Sequence, residues 1–347
     1  MITSLTLENF RCFQKFQLER IGRITLIGGK NNVGKTTLLE SIFLVFAYFN
    51  PDVFVKLNGI RGSLTTSFSP DVTWEHLFYN KNVIDGLNIS VSENGELLSF
   101  KLQRDDSFLQ SGTFVVPVNH ELRIVTDGYP LKITYRSREK EDIGHIIPVQ
   151  NGLTIKWNHS FSNNSLTKVQ YIGISSELPQ SLAAHFGNVV KAGQKQEIID
   201  VLKLLEPELE DISTVAEDIP RLYIQKKNRP LLPLSVMGNG ISRLVGILCS
   251  MLEYPRAIIL IDEIESGFHY SFFPQLWKSI EFLAKKMDVQ IFATTHSYEC
   301  TRSALSSFED KESLCYIRLD KEEENIVPYI FPTDVLEYAF EQSIEIR

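Results

Sequence analysis

The sequence predicts an α/β fold with a mixed, mainly parallel core sheet, and three stretches carry that expectation. The first is Arg23-Ile24-Thr25-Leu26-Ile27, a short apolar strand. It is followed by Gly29-Lys30-Asn31-Asn32-Val33-Gly34-Lys35-Thr36 and a helix on which Leu38, Leu39, Ile42, Phe43 and Phe46 form one apolar stripe. The second is Ala257-Ile258-Ile259-Leu260-Ile261, a continuous apolar run closed by Asp262-Glu263, the pattern of a parallel strand buried on both faces. The third is Val289 to Ala293, a further buried strand ending at Thr294-Thr295-His296-Ser297.

Ahead of the glycine loop, Ser4 to Leu7 reads as a strand, and the alternating segment Phe10 to Leu18 can pair as a hairpin. The helix after the loop runs to about Tyr48. Residues 50 to 80 are rich in Ser, Thr, Asn, Pro and Gly but carry Trp74, Leu77 and Phe78, so they read as a structured loop or small insertion. From Leu87 to Trp157 short alternating runs, including Leu87-Asn-Ile-Ser-Val, Leu122-Arg-Ile-Val, Leu131-Lys-Ile-Thr-Tyr and Leu153-Thr-Ile-Lys-Trp, are separated by turn signals. They predict an antiparallel β subdomain. Val169 to Ile174 reads as a buried strand, and Leu178 to about Glu217 as helical, with Ile198, Ile199, Val201, Leu202, Leu204 and Leu205 as its stripe. Pro233 to Gly240 leads into a helix bearing Ile241, Leu244, Val245, Ile247 and Leu248, and Phe273 to Leu283 forms an amphipathic helix with Pro274 in its first turn. The expected division is 1–175, a lobe holding the glycine loop and the antiparallel subdomain; 176–255, a helical lobe; and 256–347, which returns to the first.

With 347 residues, 43% hydrophobic and 22% charged, the chain can bury a sizeable core as one large domain or two lobes. Its formal net charge of −8 lacks the basic field on which non-specific nucleic-acid binding relies, so any such contact needs a local patch or a partner. Lys226, Lys227 and Arg229 form one basic cluster, read as a solvated face. Cys12, Cys249, Cys300 and Cys315 lie far apart without metal-ligand spacing, which fits reduced thiols. The opening residues show no signal peptide, and no run reaches the length of a membrane span. A cytoplasmic protein without membrane partners is expected.

The eight-residue loop matches G-x-x-x-x-G-K-[ST], which binds nucleotide phosphates. Its glycines let successive N–H groups face phosphate oxygens, and the helix adds its positive end. Gly29, Asn31, Asn32, Val33, Gly34, Lys35, Thr36 and Thr37 are therefore the candidate cradle for ATP. Lys35 would reach the β- and γ-phosphates, and Thr36 would ligate Mg²⁺. Asp262 closes its strand as a Walker B acid does, placing it with Thr36 as a metal ligand. Glu263 is the candidate general base. His296, after a parallel strand, would sit near the γ-phosphate and orient water. The small residues before the helix at Gly240 expose N–H groups to an anion; if they face away from the chain's own nucleotide, they would serve a second copy across a two-fold dimer.

Together these residues resemble the ABC-class ATPase heads of the SMC, RecF and overcoming-lysogenization-defect (OLD) group. Leu7-Glu8-Asn9-Phe10-Arg11-Cys12-Phe13 is similar to that group's N-terminal signature, Gly29 to Thr37 to its Walker A, Ser235 to Gly240 to a divergent signature loop, Asp262-Glu263 to its Walker B and Thr295-His296-Ser297 to its switch. The resemblance spans nearly the whole chain. It implies a P-loop ABC-type head that closes head-to-head around ATP and Mg²⁺. Arg11 would contact the base or phosphates, Ser235, Gly238, Asn239 and Gly240 would meet the partner's nucleotide, and Glu265-Ser266-Gly267 would communicate across the dimer. The signature differs from Leu-Ser-Gly-Gly-Gln, and Gln170 and Gln180 are candidates for the Mg²⁺-sensing glutamine. The stand-alone OLD-like ATPases of bacterial phage defence are the nearest in pattern. They imply a separate effector such as a nuclease or toxin, since Leu319-Asp320-Lys321 offers no paired acidic motif for a nuclease domain in this chain. A RecF-like repair ATPase on gapped DNA, a transporter subunit and a non-hydrolysing structural role are the competing expectations.

Overall fold

The computed structural model describes residues 1–50, 52–61, 73–110, 129–138, 140–149, 152–158, 167–174 and 178–342. The expected strand at Leu122 to Val125, much of the 50–80 insertion and the 175/176 boundary lie outside the described residues. In chain order the elements are β1 (Ile2–Phe10), β2 (Phe13–Leu18), β3 (Ile24–Gly29), α1 (Lys35–Ala47), α2 (Asp52–Ile60), β4 (Leu87–Glu93), β5 (Glu96–Arg104), β6 (Leu131–Arg136), β7 (Glu141–Val149) and β8 (Gly152–Trp157). These are followed by β9 (Val169–Ile172), α3 (Pro179–Lys191), α4 (Lys195–Leu205), β10 (Leu209–Val215), β11 (Arg221–Lys226), β12 (Leu232–Pro233), α5 (Asn239–Glu253) and β13 (Ile258–Ile261). The chain ends with α6 (Phe273–Lys286), β14 (Gln290–Thr294), α7 (Tyr298–Ser307), β15 (Leu314–Glu322), β16 (Asn325–Phe331) and α8 (Thr333–Glu341). Two compact units interleave along the chain. One holds Met1–Ile21, Asn32–Leu166 and Leu319–Pro328, the other Gly22–Asn31, Thr167–Arg318 and Tyr329–Arg347.

The first unit is built on an antiparallel sheet of seven strands, ordered β2-β1-β4-β5-β6-β7-β8. Alternation sorts its faces: Leu87, Ile89 and Val91 of β4, Leu98, Phe100 and Leu102 of β5, and Leu131, Ile133 and Tyr135 of β6 are all buried on one side, while the other carries polar residues and the exposed Leu97. The hairpin expected near Phe10 forms between β1 and β2, with Phe10 opposite Phe13. At the end of α1, Tyr48 stacks on Tyr135 with ring centroids 4.2 Å apart and donates to Asp142 Oδ2 at 3.1 Å. Burial and the Asp142 carboxylate push its phenol pKa up. Trp74, Leu77 and Phe78, in the described part of the insertion, belong to the core.

A six-stranded sheet has the order β16-β15-β3-β14-β13-β9, and its strands β3, β14, β13 and β9, which belong to the second unit, are parallel. Ile258 to Ile261 are buried throughout, as a strand covered on both faces requires. A three-stranded sheet, β10-β11-β12, joins α3, α4 and α5, and one continuous core links residues of these elements with Ile259, Ile261, Trp277 and Ile291. One expectation fails here, because the helix predicted to reach Glu217 stops at Leu205 and Leu209–Val215 is a strand. Pro207 breaks the helical ladder, and a bulge between Leu209 and Asp211 puts Leu209 and Ile212 on one buried face. That spacing imitates a helical stripe. The charge run Lys321 to Glu324 is exposed, closing β15 with Lys321 and Glu322 and forming the turn to β16 with Glu323 and Glu324.

Candidate nucleotide-binding and catalytic site

The register of the parallel strands gathers the chemistry of the second unit at one sheet edge. Ile27 lies opposite Thr294, Ala293 opposite Ile261, and Ile261 opposite Ile172, so the carboxyl ends of β3, β14, β13 and β9 are level. Thr295 N–H donates to the Ile27 carbonyl at 3.0 Å. The start of the phosphate loop, the acidic pair and His296 therefore all leave from the same edge, where ligands of open parallel sheets collect. Gly28 is required there: a Cβ at that position would lie 2.1 Å from the Tyr316 hydroxyl oxygen.

Asp262 and Glu263 have different surroundings although they are adjacent. Asp262 is 3% exposed; its Oδ1 accepts from the Thr294 hydroxyl at 2.6 Å and its Oδ2 from the Tyr171 hydroxyl at 3.2 Å. The Thr294 oxygen also accepts from Glu263 N–H at 2.8 Å. Glu263 has a φ of 47°, a left-handed conformation that non-glycine residues adopt only under restraint. That turn leaves its side chain 35% exposed, with Oε1 3.9 Å from His296 Nε2. His296 is held in turn, its backbone N–H donating to Glu265 Oε1 at 2.6 Å.

Arg243, on α5, supports the turn from behind. It is 6% exposed and donates to four backbone carbonyls, those of Gly173, Ile174, Asp262 and Glu263. Burial lowers the guanidinium pKa, while Asp262, Glu265 and Glu263 oppose the shift. Sequence reasoning missed this residue. The available signal was one arginine inside the apolar run Ile241 to Leu248, and Tyr171 and Thr294 gave still less.

In the first unit the loop ends at Gly34, which begins α1 with a φ of 89°. A Cβ there would lie 2.8 Å from the Phe13 ring and 2.9 Å from Cys12 Sγ, so the glycine answers both the backbone conformation and the space. Asn31 and Asn32 are exposed, Asn32 with a φ of 62°, whereas Val33, Lys35 and Thr37 are buried. Behind this turn Glu40, fully buried, binds Arg11 Nε at 2.9 Å and Arg61 Nε at 2.8 Å, and Arg61 Nη2 reaches the Thr37 hydroxyl at 2.9 Å. Arg11, expected at the base or phosphates, thus engages Glu40. Arg61 and Glu40 had no legible motif.

Ser235 lies in a 3₁₀ turn at Leu234–Met237, and Ser235, Gly238 and Asn239 are exposed at the start of α5. Gly240 packs against the Glu265-Ser266-Gly267 loop so closely that a Cβ would fall 2.2 Å from the Gly267 carbonyl oxygen. Gly267 itself has a φ of 85°. Gln170 on β9 lies opposite Ile259 on β13, and Gln180 is exposed at the start of α3; Tyr171 is the β9 side chain that reaches Asp262. In the basic cluster Lys226 pairs with Glu206 at 2.7 Å and Arg229 with Glu208 at 3.5 Å, which cancels most of its field. None of the four cysteines is in a disulfide, and no helix among the described residues is long and apolar enough to cross a membrane.

A phosphate loop after β3, an acidic pair after β13 and a histidine after β14, in a chain that also carries a seven-stranded antiparallel sheet, are those of an ATPase of the SMC/RecF type with an ABC-class head. Residues 24–300 match the family described as "AAA domain, putative AbiEii toxin, Type IV TA system", and the chain belongs to that family. It is 23% identical to an ATP/GTP phosphatase of Helicobacter pylori, over 98% of both chains. It is also 28% identical to the DNA replication and repair protein RecF of Clostridioides difficile, over 47% of this chain and 43% of RecF. Among solved structures it is similar to an Smc head bound to the C-winged helix domain of ScpA, with TM-score 0.51, 11% identity, and 98% of this chain and 99% of that one covered. An Smc head from Pyrococcus furiosus, bound to the C-terminal domain of ScpA, gives a TM-score of 0.50 at 9% identity over 99% of each. These two likenesses concern the fold.

Proposed function

We propose that the chain hydrolyses ATP with Glu263 as general base, closes head-to-head with a second copy around the nucleotide, and in doing so holds or releases a separate effector. The observation that carries this reading is the unequal treatment of two neighbouring acids. Asp262 is locked by two hydroxyl donors, as a metal-side carboxylate must be, whereas Glu263 is turned outward beside an imidazole where it can take a proton from water.

Thr36 and Asp262 are hard oxygen donors, and no group of three or more His, Cys, Asp or Glu able to hold a metal occurs among the described residues. That set suits Mg²⁺, which keeps waters and phosphate oxygens in its shell. When bound, Mg²⁺ neutralises charge on the β- and γ-phosphates. Lys35 adds a further positive charge there, and His296 orients the water that Glu263 activates. The exposed residues Gly238 and Asn239 at the start of α5 are the surface offered to the partner's nucleotide.

The family's description names a toxin and a toxin–antitoxin system, which supports a separate effector; we read its setting as phage defence, and the phosphatase relative supports hydrolysis. Contacts to the γ-phosphate favour the closed pair, and hydrolysis removes them. Replacing Glu263 by Gln therefore accumulates an ATP-bound dimer, read as doubled mass by size exclusion with light scattering in ATP and Mg²⁺. A variant that stays monomeric at saturating ATP rejects the dimer. The partial likeness to RecF supports a second reading, a DNA-repair ATPase. Salt-dependent duplex binding by the purified chain would favour it, although the paired Lys226 and Arg229 supply little field for that contact.

A further inference from the structure

Away from the nucleotide machinery, the polar side of the seven-stranded sheet carries a hollow of about 890 Å³. Four cations, Lys15, Lys101, Lys132 and Arg136, line it against two carboxylates, Glu8 and Asp85, in a chain whose net charge is −8. Sheet register fixes their arrangement. Lys101 on β5 lies opposite Thr134 on β6, so Lys132 and Arg136, two residues to either side of Thr134, are its diagonal neighbours on the same face. Such neighbours stand about 7–8 Å apart.

Both carboxylates are already engaged. Glu8 accepts from Asn88 at 3.3 Å and lies opposite Lys15, while Asp85 accepts from Asn82 at 2.6 Å. Arg136 gives its Nε to Glu141, at the exposed end of β7. Lys101 and Lys132 make no ion pair among the described residues. The floor between the cations is Asn88, Ser99, Gln103 and Thr134, hydrogen-bonding groups without an aromatic ring. Like charges grouped on one sheet face repel, and a bound anion turns that repulsion into attraction.

We propose that this hollow binds a small molecule bearing two or more phosphoryl groups. Three cations at this spacing suit separate phosphoryl groups, and the polar floor suits their linking oxygens. The volume lies in the range of small-molecule sites. A single nucleic-acid strand would require stacking rings, which this floor lacks.

The test uses full-length protein carrying Lys35→Ala, so that the P-loop cation does not contribute, titrated with inorganic tripolyphosphate by calorimetry at low salt. One saturable equivalent is expected, weakened at least about tenfold by adding Lys101→Gln and Lys132→Gln. In the otherwise unaltered chain those two changes should leave ATP turnover and thermal melting as they were, because both side chains reach solvent. Absent binding, or binding indifferent to the two substitutions, overturns the proposal. It is equally overturned if duplex DNA binds the Lys35→Ala protein more tightly than tripolyphosphate and loses that binding with the same substitutions, which would assign the hollow to a nucleic-acid backbone.

Discussion

His76 sits among Arg11, Arg61 and Lys81, and burial together with those cations holds its pKa down at about 4. The imidazole is therefore neutral in the fold at pH 7. Unfolded histidine titrates near 6.5, so the unfolded chain takes up the proton first as pH falls. The resulting stability is fully present above about pH 6.5 and is lost progressively between there and about pH 4. Urea midpoints at pH 7.5 and 4.5 should accordingly fall further for wild type than for His76→Gln; parallel losses would show that this imidazole does not drive the change. The same neighbourhood shows the limit of sequence at this scale. Lys35 and Thr36 were legible because their motif is contiguous, whereas Glu40, Arg61 and Arg243 act through folding contacts that no local pattern encodes.

Two loops, one opening α5 and one following Asp262, interlock through glycines at the level of elements. Gly238 and Gly240 differ there: a Cβ at 238 meets open space but a left-handed backbone, whereas a Cβ at 240 collides with the Gly267 carbonyl. At φ 92° and ψ 159° Gly238 occupies backbone space essentially confined to glycine, so Gly238→Ala carries conformational strain of about 1–3 kcal/mol. Gly240→Ala forces the two loops apart, at about 1–3 kcal/mol, and moves the loop that leads out of Glu263. Thermal melts with parallel ATPase assays should show a larger loss of turnover for Gly240→Ala than for Gly238→Ala. Equal turnover in the two would mean the interlock has no part in hydrolysis. Sequence supplied the small residues of each loop but not their meeting, because no periodicity joins distant turns. The β10 strand was hidden for a related reason, its bulge giving buried residues a helical spacing.

Across the whole molecule the chain passes repeatedly between its two compact units, once inside the phosphate loop at Asn31–Asn32. Strand–helix alternation and the antiparallel turn signals were readable from sequence, since each is a repeating local pattern. The interleaving of segments is a product of tertiary packing and was not. In the second unit, parallel register brings the ends of β3, β13 and β14 level, so segments far apart in sequence present their groups at one edge. In the proposed reaction this edge hydrolyses ATP with Glu263 taking the proton. The most direct test is steady-state ATP turnover with Mg²⁺ for wild type and Glu263→Gln, with ATP binding measured on the same preparations. A fall in kcat of about 10²–10⁴-fold with ATP affinity retained is expected. Turnover in the variant equal to that of wild type would contradict it.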